Sequence, residues 1–414
     1  MRLGDIANAG AGRYGKPLAG VRILALEQMQ ALPFGTQLLA RLGADVVKVE
    51  APGTGESGRG ALPAMIDPAG RAVGSTFLRN NLNKRSVSIN VKDERGRQLV
   101  LRLAPGFDVF AENFKAGAMA RLGLGYEDVA RVHPRGIYLS ISGFGNAGDS
   151  PYGGWAAYAP IAEAMSGIYE FKRPLGQAPV AAPVGGLGDI GTSLFGVIGV
   201  LAALRHRDLT GEGQYVDVAM LDSMVAMTDL VANFWSMGLR GGNLGPLIIH
   251  GFEASDGWFI LQIGREHQFA QLAHTIGHSE WLDDPRLATR QGWIDHLEDV
   301  IRPAVEKWAS SRTKLEVCQE LSASGIAAGP CFSDDEVVHD PHVAAHRMLV
   351  EHPRTDGVEQ PVLIPGNPIK LSKVTEGPDV RVPWLGEHTD EVLRDELGLS
   401  NADLGELRST GVIG

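Results

Sequence analysis

The sequence predicts an α/β fold, with a largely parallel sheet covered by helices and a smaller α+β domain beside it. Three observations carry this expectation. Short β-branched apolar runs alternate with stretches of helical spacing through the N-terminal half. A glycine-rich break at Gly238–Gly245 (GLRGGNLG) then separates that half from a segment of different character. Finally, 414 residues with 44% hydrophobic and 21% charged side chains make an ordinary globular composition, long enough for more than one domain.

The elements follow in order. Residues 21–26 (VRILAL) read as a strand, 34–42 as a helix with Phe34, Leu38, Leu39 and Leu42 on one face, and 45–50 (DVVKVE) as a second strand, which together make a βαβ unit. A second passage of the same kind runs through a strand at Ser86–Val91, a helix at Glu94–Leu103, a strand at Asp108–Ala111, a helix near Ala118–Leu122 and a strand at Gly136–Ser142. Such alternation argues for parallel strands buried on both faces. Ile190–Arg207 is a mostly apolar helix, closed by the turn DLTGEGQ and followed by a strand at Tyr215–Val218 and a helix over Leu221–Trp235. Trp258–Gln262 reads as a strand, helical segments run to about Ala327, and Asp390–Leu397 is a terminal helix. The expected division is 18–225 for the large domain, 245–330 for the small α+β domain, and 331–414 as a segment returning to complete the large one.

Charge and cysteine content narrow the function. With 38 Lys+Arg against 49 Asp+Glu, a net −11, there is no basic surface for nucleic acid, although a local cationic site for an anionic ligand is allowed. Two cysteines, Cys318 and Cys331, make no disulfide framework and fit a reducing, cytoplasmic compartment. The first twenty residues contain no apolar run of leader length. Elsewhere glycine or charge interrupts each apolar stretch before the ~18 residues a membrane span needs, so no membrane association is expected.

Several patterns invite a chemical reading. GTGESG (53–58) spells G-x-G-x-x-G after a strand, but RGALPAMIDPAG follows it instead of a helix, so a plain loop is preferred to a nicotinamide site. His339, His342 and His346 could share a helical face as metal ligands, or simply flank the turn at Asp340-Pro341; no metal is expected. Asp334-Asp335 suits a helix N-terminus. Asp189, in GGLGDIGTS before the long apolar helix, reads either as a helix N-cap or as a carboxylate nucleophile with glycines giving a ligand close access to the backbone.

Four stretches together resemble the family III CoA-transferases, the group containing formyl-CoA transferase and carnitine CoA-transferase. They are LAGVRILALEQMQALPFGTQLLARLGADVVKVEAPGTGES, then NLNKRSVSINVK with AENFKAGAMARLGLGYEDV, then GLGDIGTSLFGVIGVLAALRHRDLTGEGQYVDVAMLDSM, and finally HRMLVEHPR with IPGNPIKLS and LGEHTDEVL. The likeness runs from about Leu18 over nearly the whole chain.

The resemblance implies a Rossmann-like large domain built from both ends of the sequence and an interlocked homodimer. It implies that Asp189 attacks an acyl-CoA thioester, giving a mixed anhydride and then an aspartyl-CoA thioester, before CoA passes to a small carboxylic acid. CoA would be a substrate and no permanently bound cofactor is implied. Met29, Gln30 and Ala31 match the CoA loop after the first strand, with Gln30 a donor to a developing oxyanion. Asn113, Phe114, Arg121 and Leu122 match a second CoA segment, and Ile89 and Lys92 match the adenine and phosphate end. Arg121 and Lys92 would supply positive charge for the phosphates. Gly241 and Gly242 echo a glycine loop that shields the intermediate. The sequence departs from the family's pattern at Ala51, where some members carry an arginine, and at Ala159, which follows Tyr158 where formyl-CoA transferase has an acidic residue and the superfamily's racemases a catalytic aspartate. The second departure counts against the racemases of the same superfamily. Racemisation, CoA binding without turnover and nicotinamide oxidoreduction are the alternatives.

Overall fold

The computed structural model describes every residue except Asp149, Lys172, Pro174, Leu175, Pro183, Val184 and residues 240–244. The chain divides into two compact units, Met1–Met237 with Ala344–Gly414, and Gly238–Val343.

The first unit is built on six strands: β1 (Arg22–Leu26), β2 (Asp45–Glu50), β3 (Lys84–Ser88), β4 (Val109–Glu112), β5 (Ile137–Ser142) and β6 (Tyr215–Ala219). They pair in parallel in the order β3-β2-β1-β4-β5-β6, the order of a Rossmann-like sheet. Because side chains alternate across a strand, Ile23 and Ala25 join one core while Leu24 and Leu26 join the other. Helices α1 (Ala31–Arg41) and α4 (Leu187–Thr210) pack into the first core. Helix α2 (Glu94–Leu103) packs into the second, where Val392, Leu393 and Leu404 bring the C-terminal segment back onto the sheet. A short helix, α3 (Ala159–Met165), packs against α4.

The second unit has a three-stranded antiparallel sheet, Ala327–Pro330, Gly257–Ile263 and Ile248–Ala254 in that order. Helices Glu266–Thr275, Arg302–Ala309 and Lys314–Ala323 complete a core around Phe252, Phe259, Phe269, Trp281 and Trp293. It is an α+β unit.

The differences from the sequence expectation have local causes. Strand β3 begins at Lys84 and ends at Ser88, instead of spanning 86–91, because the charged Lys84 is buried against Glu27 and belongs to the sheet. The helix expected over Leu221–Trp235 is two, Met220–Met227 and Asp229–Ser236, with Thr228 between them turning its hydroxyl onto the Met224 carbonyl. A final helix, Asn401–Ser409, carries a capping box of Ser400 and Asp403 that the S-N-A-D pattern spells out. Helix α4 is long and apolar enough by length and composition to cross a membrane, whereas the sequence reading expected no stretch to qualify. Its glycines interrupt the apolar run without lowering the mean hydropathy much, and Gly188, Gly191, Gly196, Val197, Val200 and Leu204 lie on its buried face.

Around the three histidines, Asp340 accepts from the backbone N–H groups of His342 and Val343 and so caps the helix Pro341–Ala345. Asp334 and Asp335 open the helix Asp334–His339 behind its Ser333 cap. Among the described residues no group of three or more His, Cys, Asp or Glu could hold a metal ion.

Candidate active site

In a parallel sheet of this order the crevice opens at the carboxyl ends of the strands, where β1 and β4 lead their chains in opposite directions. A cavity of about 660 Å³ lies there. It is lined by Gln28, Met29 and Ala31 after β1, by Asn113, Phe114 and Lys115 after β4, by Gly143 and Phe144 after β5, and by Met220 after β6. Ser57, Gly60 and Ala61 also reach it, so the GTGESG loop borders the cavity although it follows β2 and opens no crossover helix. Trp155 and Tyr158 extend the apolar wall, and Asp189 completes it.

Side-chain hydrogen bonds hold the two switch-point loops together. Asn113 Oδ1 accepts from the Gln28 N–H at 2.8 Å, and its Nδ2 donates to the Gln28 carbonyl at 2.9 Å. The amide therefore links the β1 and β4 chains beyond the strand ends, two residues past Leu26 and one past Glu112. Met29 has φ +59°, an uncommon conformation for a non-glycine residue. Its N–H is fixed by Glu56 Oε2 at 2.9 Å. Strain of this kind persists where surrounding contacts over-determine the backbone, and it concentrates at functional loops.

Beneath the loop lies a buried ion network. Lys84 Nζ is 2.6 Å and Lys48 Nζ 3.5 Å from Glu27 Oε1, with all three side chains fully buried. Thr36 donates to Glu27 Oε2, and Lys48 lies 3.7 Å from Glu56. Glu50, bridged to Arg59 at 2.6 Å, also accepts from the Ser86 hydroxyl and the Glu56 N–H. Glu27 just after β1, Lys48 and Glu50 in β2 and Lys84 at the start of β3 thus form one network, which Glu56 ties to the Met29 N–H.

Asp189 sits in the first turn of α4, but it is not the cap. The N-cap is Gly186, at φ +86° and ψ 62°, where a Cβ would stand 2.7 Å from Asp189 Oδ2. The free N–H of Gly188 is taken instead by Glu163 Oε1, at 2.8 Å, from helix α3. Tyr169 donates to the other oxygen of Glu163. The cap reading of Asp189 is therefore corrected: a carboxylate from a different helix satisfies the amide, and Asp189 is left facing the cavity. Burial, and then the nearby charge of Glu163, raise its pKa to about 6, with Arg79 acting in the opposite direction. Among the described residues it is the one carboxylate in the cavity wall, and Lys115 is the one cation.

Of the residues singled out by sequence, Met29, Ala31, Asn113, Phe114 and Asp189 line the cavity. Gln30 does not. It is buried, its Oε1 accepts from Arg79 Nη2 at 2.8 Å and its Nε2 donates to the Gly185 carbonyl at 2.9 Å. Gln30 thus links α1 to Arg79 and to the turn before Asp189. Ile89 is fully buried in the second core, its backbone bridged to Ile413, and offers no side-chain surface to a ligand. Lys92 and Arg121 are exposed outside the cavity, and Leu122 packs against the second core. Gly241 and Gly242 lie outside the described residues. At the Tyr158-Ala159 departure, Tyr158 lines the cavity, while Ala159 is buried so close to Gly188 that a Cβ there would meet Ala159 Cα at 3.2 Å.

Sequence reasoning missed Gln28, Lys115, Arg79 and Glu163. Gln28 and Lys115 are reachable by asking which residues directly follow each parallel strand. Nothing local marks Arg79 or Glu163, which reach Asp189 only through folding.

The chain matches the model of CoA-transferase family III over residues 18–389. It is 36% identical to a formyl-CoA:oxalate CoA-transferase of Streptomyces avermitilis over 96% of this chain and 100% of that one. It is 33% identical to a succinyl-CoA:glutarate CoA-transferase of Mus musculus, over 96% and 90%. The beta subunit of a succinyl-CoA–L-malate CoA-transferase of Chloroflexus aurantiacus is 34% identical over 96% and 98%. A crystal structure of a CaiB/BaiF family protein from Brucella suis superposes with TM-score 0.79 at 32% identity, over 92% of this chain and 99% of that one. Strand order, a crevice at the switch point and whole-length similarity therefore agree, and the chain belongs to CoA-transferase family III.

Proposed function

We propose that this enzyme moves CoA from an acyl-CoA donor to a small carboxylic acid through covalent intermediates on Asp189. The observation that carries the reading is a cavity at the carboxyl edge of the sheet with Asp189 as its one described carboxylate, half-buried and with a pKa near 6, hence anionic at neutral pH. An Oδ of Asp189 attacks the thioester carbonyl carbon, and the C–S bond breaks to release CoA thiolate and leave a mixed anhydride. The thiolate then attacks Cγ of Asp189, expelling the donor acid as its carboxylate and forming an aspartyl-CoA thioester. An acceptor carboxylate attacks the same Cγ, thiolate leaves again, and its attack on the acceptor's carbonyl gives the new acyl-CoA and frees Asp189. No net proton is exchanged and the thioester is conserved.

In this reading Met29, Ala31, Asn113 and Phe114 border the pantetheine path, while Lys115 in the wall and the exposed Lys92 and Arg121 neutralise CoA phosphates. Oxalate, glutarate and L-malate, the acids in the relatives' names, are small dicarboxylates and support an acceptor of that class. A cytoplasmic setting suits two free thiols, Cys318 and Cys331.

The same reading includes an interlocked homodimer. Leu194, Phe195, Ile198 and Leu201 expose an apolar stripe along α4, with Ile198 at 61% exposure, and Trp235 and Met237 are more exposed still. A second copy would cover such a surface. Light scattering is expected to give twice the chain mass at micromolar concentration, and a monomer would refute this part.

The test of the mechanism is to incubate the protein with acyl-CoAs, add hydroxylamine and locate the modified peptide by mass spectrometry. A hydroxamate at Asp189 is expected; modification elsewhere, or none with any donor that is turned over, overturns the assignment. The pH profile is a second test. The acylation rate should rise through about pH 6 and level off above it, because only the carboxylate attacks. Glu163→Gln keeps an acceptor for the Gly188 N–H but removes the charge, so its midpoint should fall below that of the wild type. An unmoved midpoint would show that Glu163 does not tune Asp189.

A further inference from the structure

Arg79 lies on the helix Ser75–Asn80, and its backbone carbonyl accepts from Gln37 Nε2 at 3.0 Å. Its guanidinium is half-buried and makes one side-chain hydrogen bond among the described residues, to the neutral amide of Gln30. A guanidinium has five N–H donors in a planar fork, so most of its capacity is left over. Among the described residues no carboxylate comes within 4.0 Å of it. Yet the fork lies beside the turn that carries Asp189. A Cβ on Gly185 would stand 4.0 Å from Arg79 Nη2, and one on Gly186 would stand 2.7 Å from Asp189 Oδ2. A cation with spare donors and the nucleophile thus rest against two successive glycines, attracting each other without closing an ion pair. A partly buried guanidinium so placed favours an anionic partner, and burial accordingly lowers its pKa while Asp189 raises it.

We propose that Arg79 determines acyl-chain specificity by binding a second carboxylate of the substrate, a short spacer from the carbonyl carbon that Asp189 attacks. The substrate class is then a dicarboxylic acid and its mono-CoA thioester. Asp189 fixes one end of the short chain. The planar fork, oriented by Gln30, donates to both oxygens of the carboxylate at the other end. Arg79 also offsets the repulsion that a substrate carboxylate would meet from Asp189 and Glu163. An acyl group ending in a methyl leaves the cation without its partner. The inference rests on the CoA-transfer reading, but it is testable without turnover.

The experiment measures binding of two unreactive thioethers, S-(3-carboxypropyl)-CoA and S-butyl-CoA, by calorimetry to the full-length wild type, Arg79→Gln and Arg79→Lys. The wild type should bind the carboxylated analogue about 10- to 100-fold more tightly, as a charge-assisted pair would give. Arg79→Gln should bring the ratio to about one while free CoA binds as before, which also reports that the variant is folded. Arg79→Lys, which keeps charge but loses the fork, should fall between. A wild-type ratio near one overturns the proposal, as does a ratio unchanged in Arg79→Gln. If Arg79→Gln loses free CoA as well, the Arg79→Lys ratio decides: a value equal to wild type overturns it, and a reduced one with CoA binding intact supports it. Selective binding lost in Arg79→Gln, with no acyl exchange by the wild type on any donor, would uphold Arg79 and refute transfer.

Discussion

Asp189→Ala is expected to reduce CoA exchange by at least about a thousand-fold while leaving CoA affinity within a few-fold of wild type. The effect is large because the side chain is the only described carboxylate facing the cavity, and neither Glu163 nor Gln30 is free to replace it. Glu163 is held by the Gly188 N–H and by Tyr169, and Gln30 by Arg79 and the Gly185 carbonyl. The loops after β1 and β4 do not depend on Asp189, since Asn113 and Glu56 hold them independently. Steady-state exchange together with calorimetric CoA binding checks this, and residual exchange within tenfold of wild type would sink the covalent mechanism. Stability should change in the opposite direction. Asp189 has a raised native pKa, so the cost of its charge is absent below the ordinary value of 3.8 and complete above about pH 6. Asp189→Asn is therefore expected to be more stable than wild type at pH 8 by about 1–3 kcal/mol and equally stable near pH 3.

Glu27→Ala is expected to lower unfolding free energy by about 3–5 kcal/mol at pH 7, because it strands two buried cations. Lys48 and Lys84 both lie fully buried against Glu27. Burial alone would raise the Glu27 pKa, but Lys84 and Lys48 together with the hydrogen bonds from Lys84 and Thr36 outweigh it and hold it low. A depressed carboxyl pKa contributes stability that is present above the ordinary value of 4.5 and lost as the pH falls through the native one. The gap between wild type and Glu27→Ala should therefore narrow below pH 4.5. Lys84 has the opposite sign: burial pushes it down to about 8 against the pull of Glu27, so without Glu27 it should titrate lower still. Urea unfolding across pH 3–8 measures both. A loss under about 1 kcal/mol at pH 7 would mean the cations find other partners. Since Lys48 also faces Glu56, which holds the Met29 N–H, CoA affinity should weaken in the same variant.

Much of the fold is legible along the chain because both faces of a parallel sheet are buried. The runs VRILAL, DVVKVE and GIYLSIS announce β1, β2 and β5 almost to the residue. Strand β3 is blurred because its Lys84 reads as loop chemistry until Glu27 is seen opposite it. The C-terminal helix at Asn401–Ser409 was readable from Ser400 and Asp403. At the site, Asp189 is visible as a carboxylate among glycines, since GGLGD marks a close backbone approach. Its two roles could not be separated there, because the competing cap ligand, Glu163, is distant in sequence.

The local order of residues determined the alternation of strand and helix, the glycine turn before α4 and the placing of a carboxylate at its first turn. These depend on backbone freedom and hydrophobic period, which are properties of neighbours in the chain. Tertiary structure alone decided that Asp189 faces a cavity instead of capping its helix, that Gln30 bonds Arg79 and the Gly185 carbonyl, and that Ile89 is core. It also brought Arg79 and Glu163 close to Asp189. Hydrogen bonds and charges act through space over a few ångströms, so a group's chemistry depends on which distant segment folds against it, and no spacing along the chain encodes that.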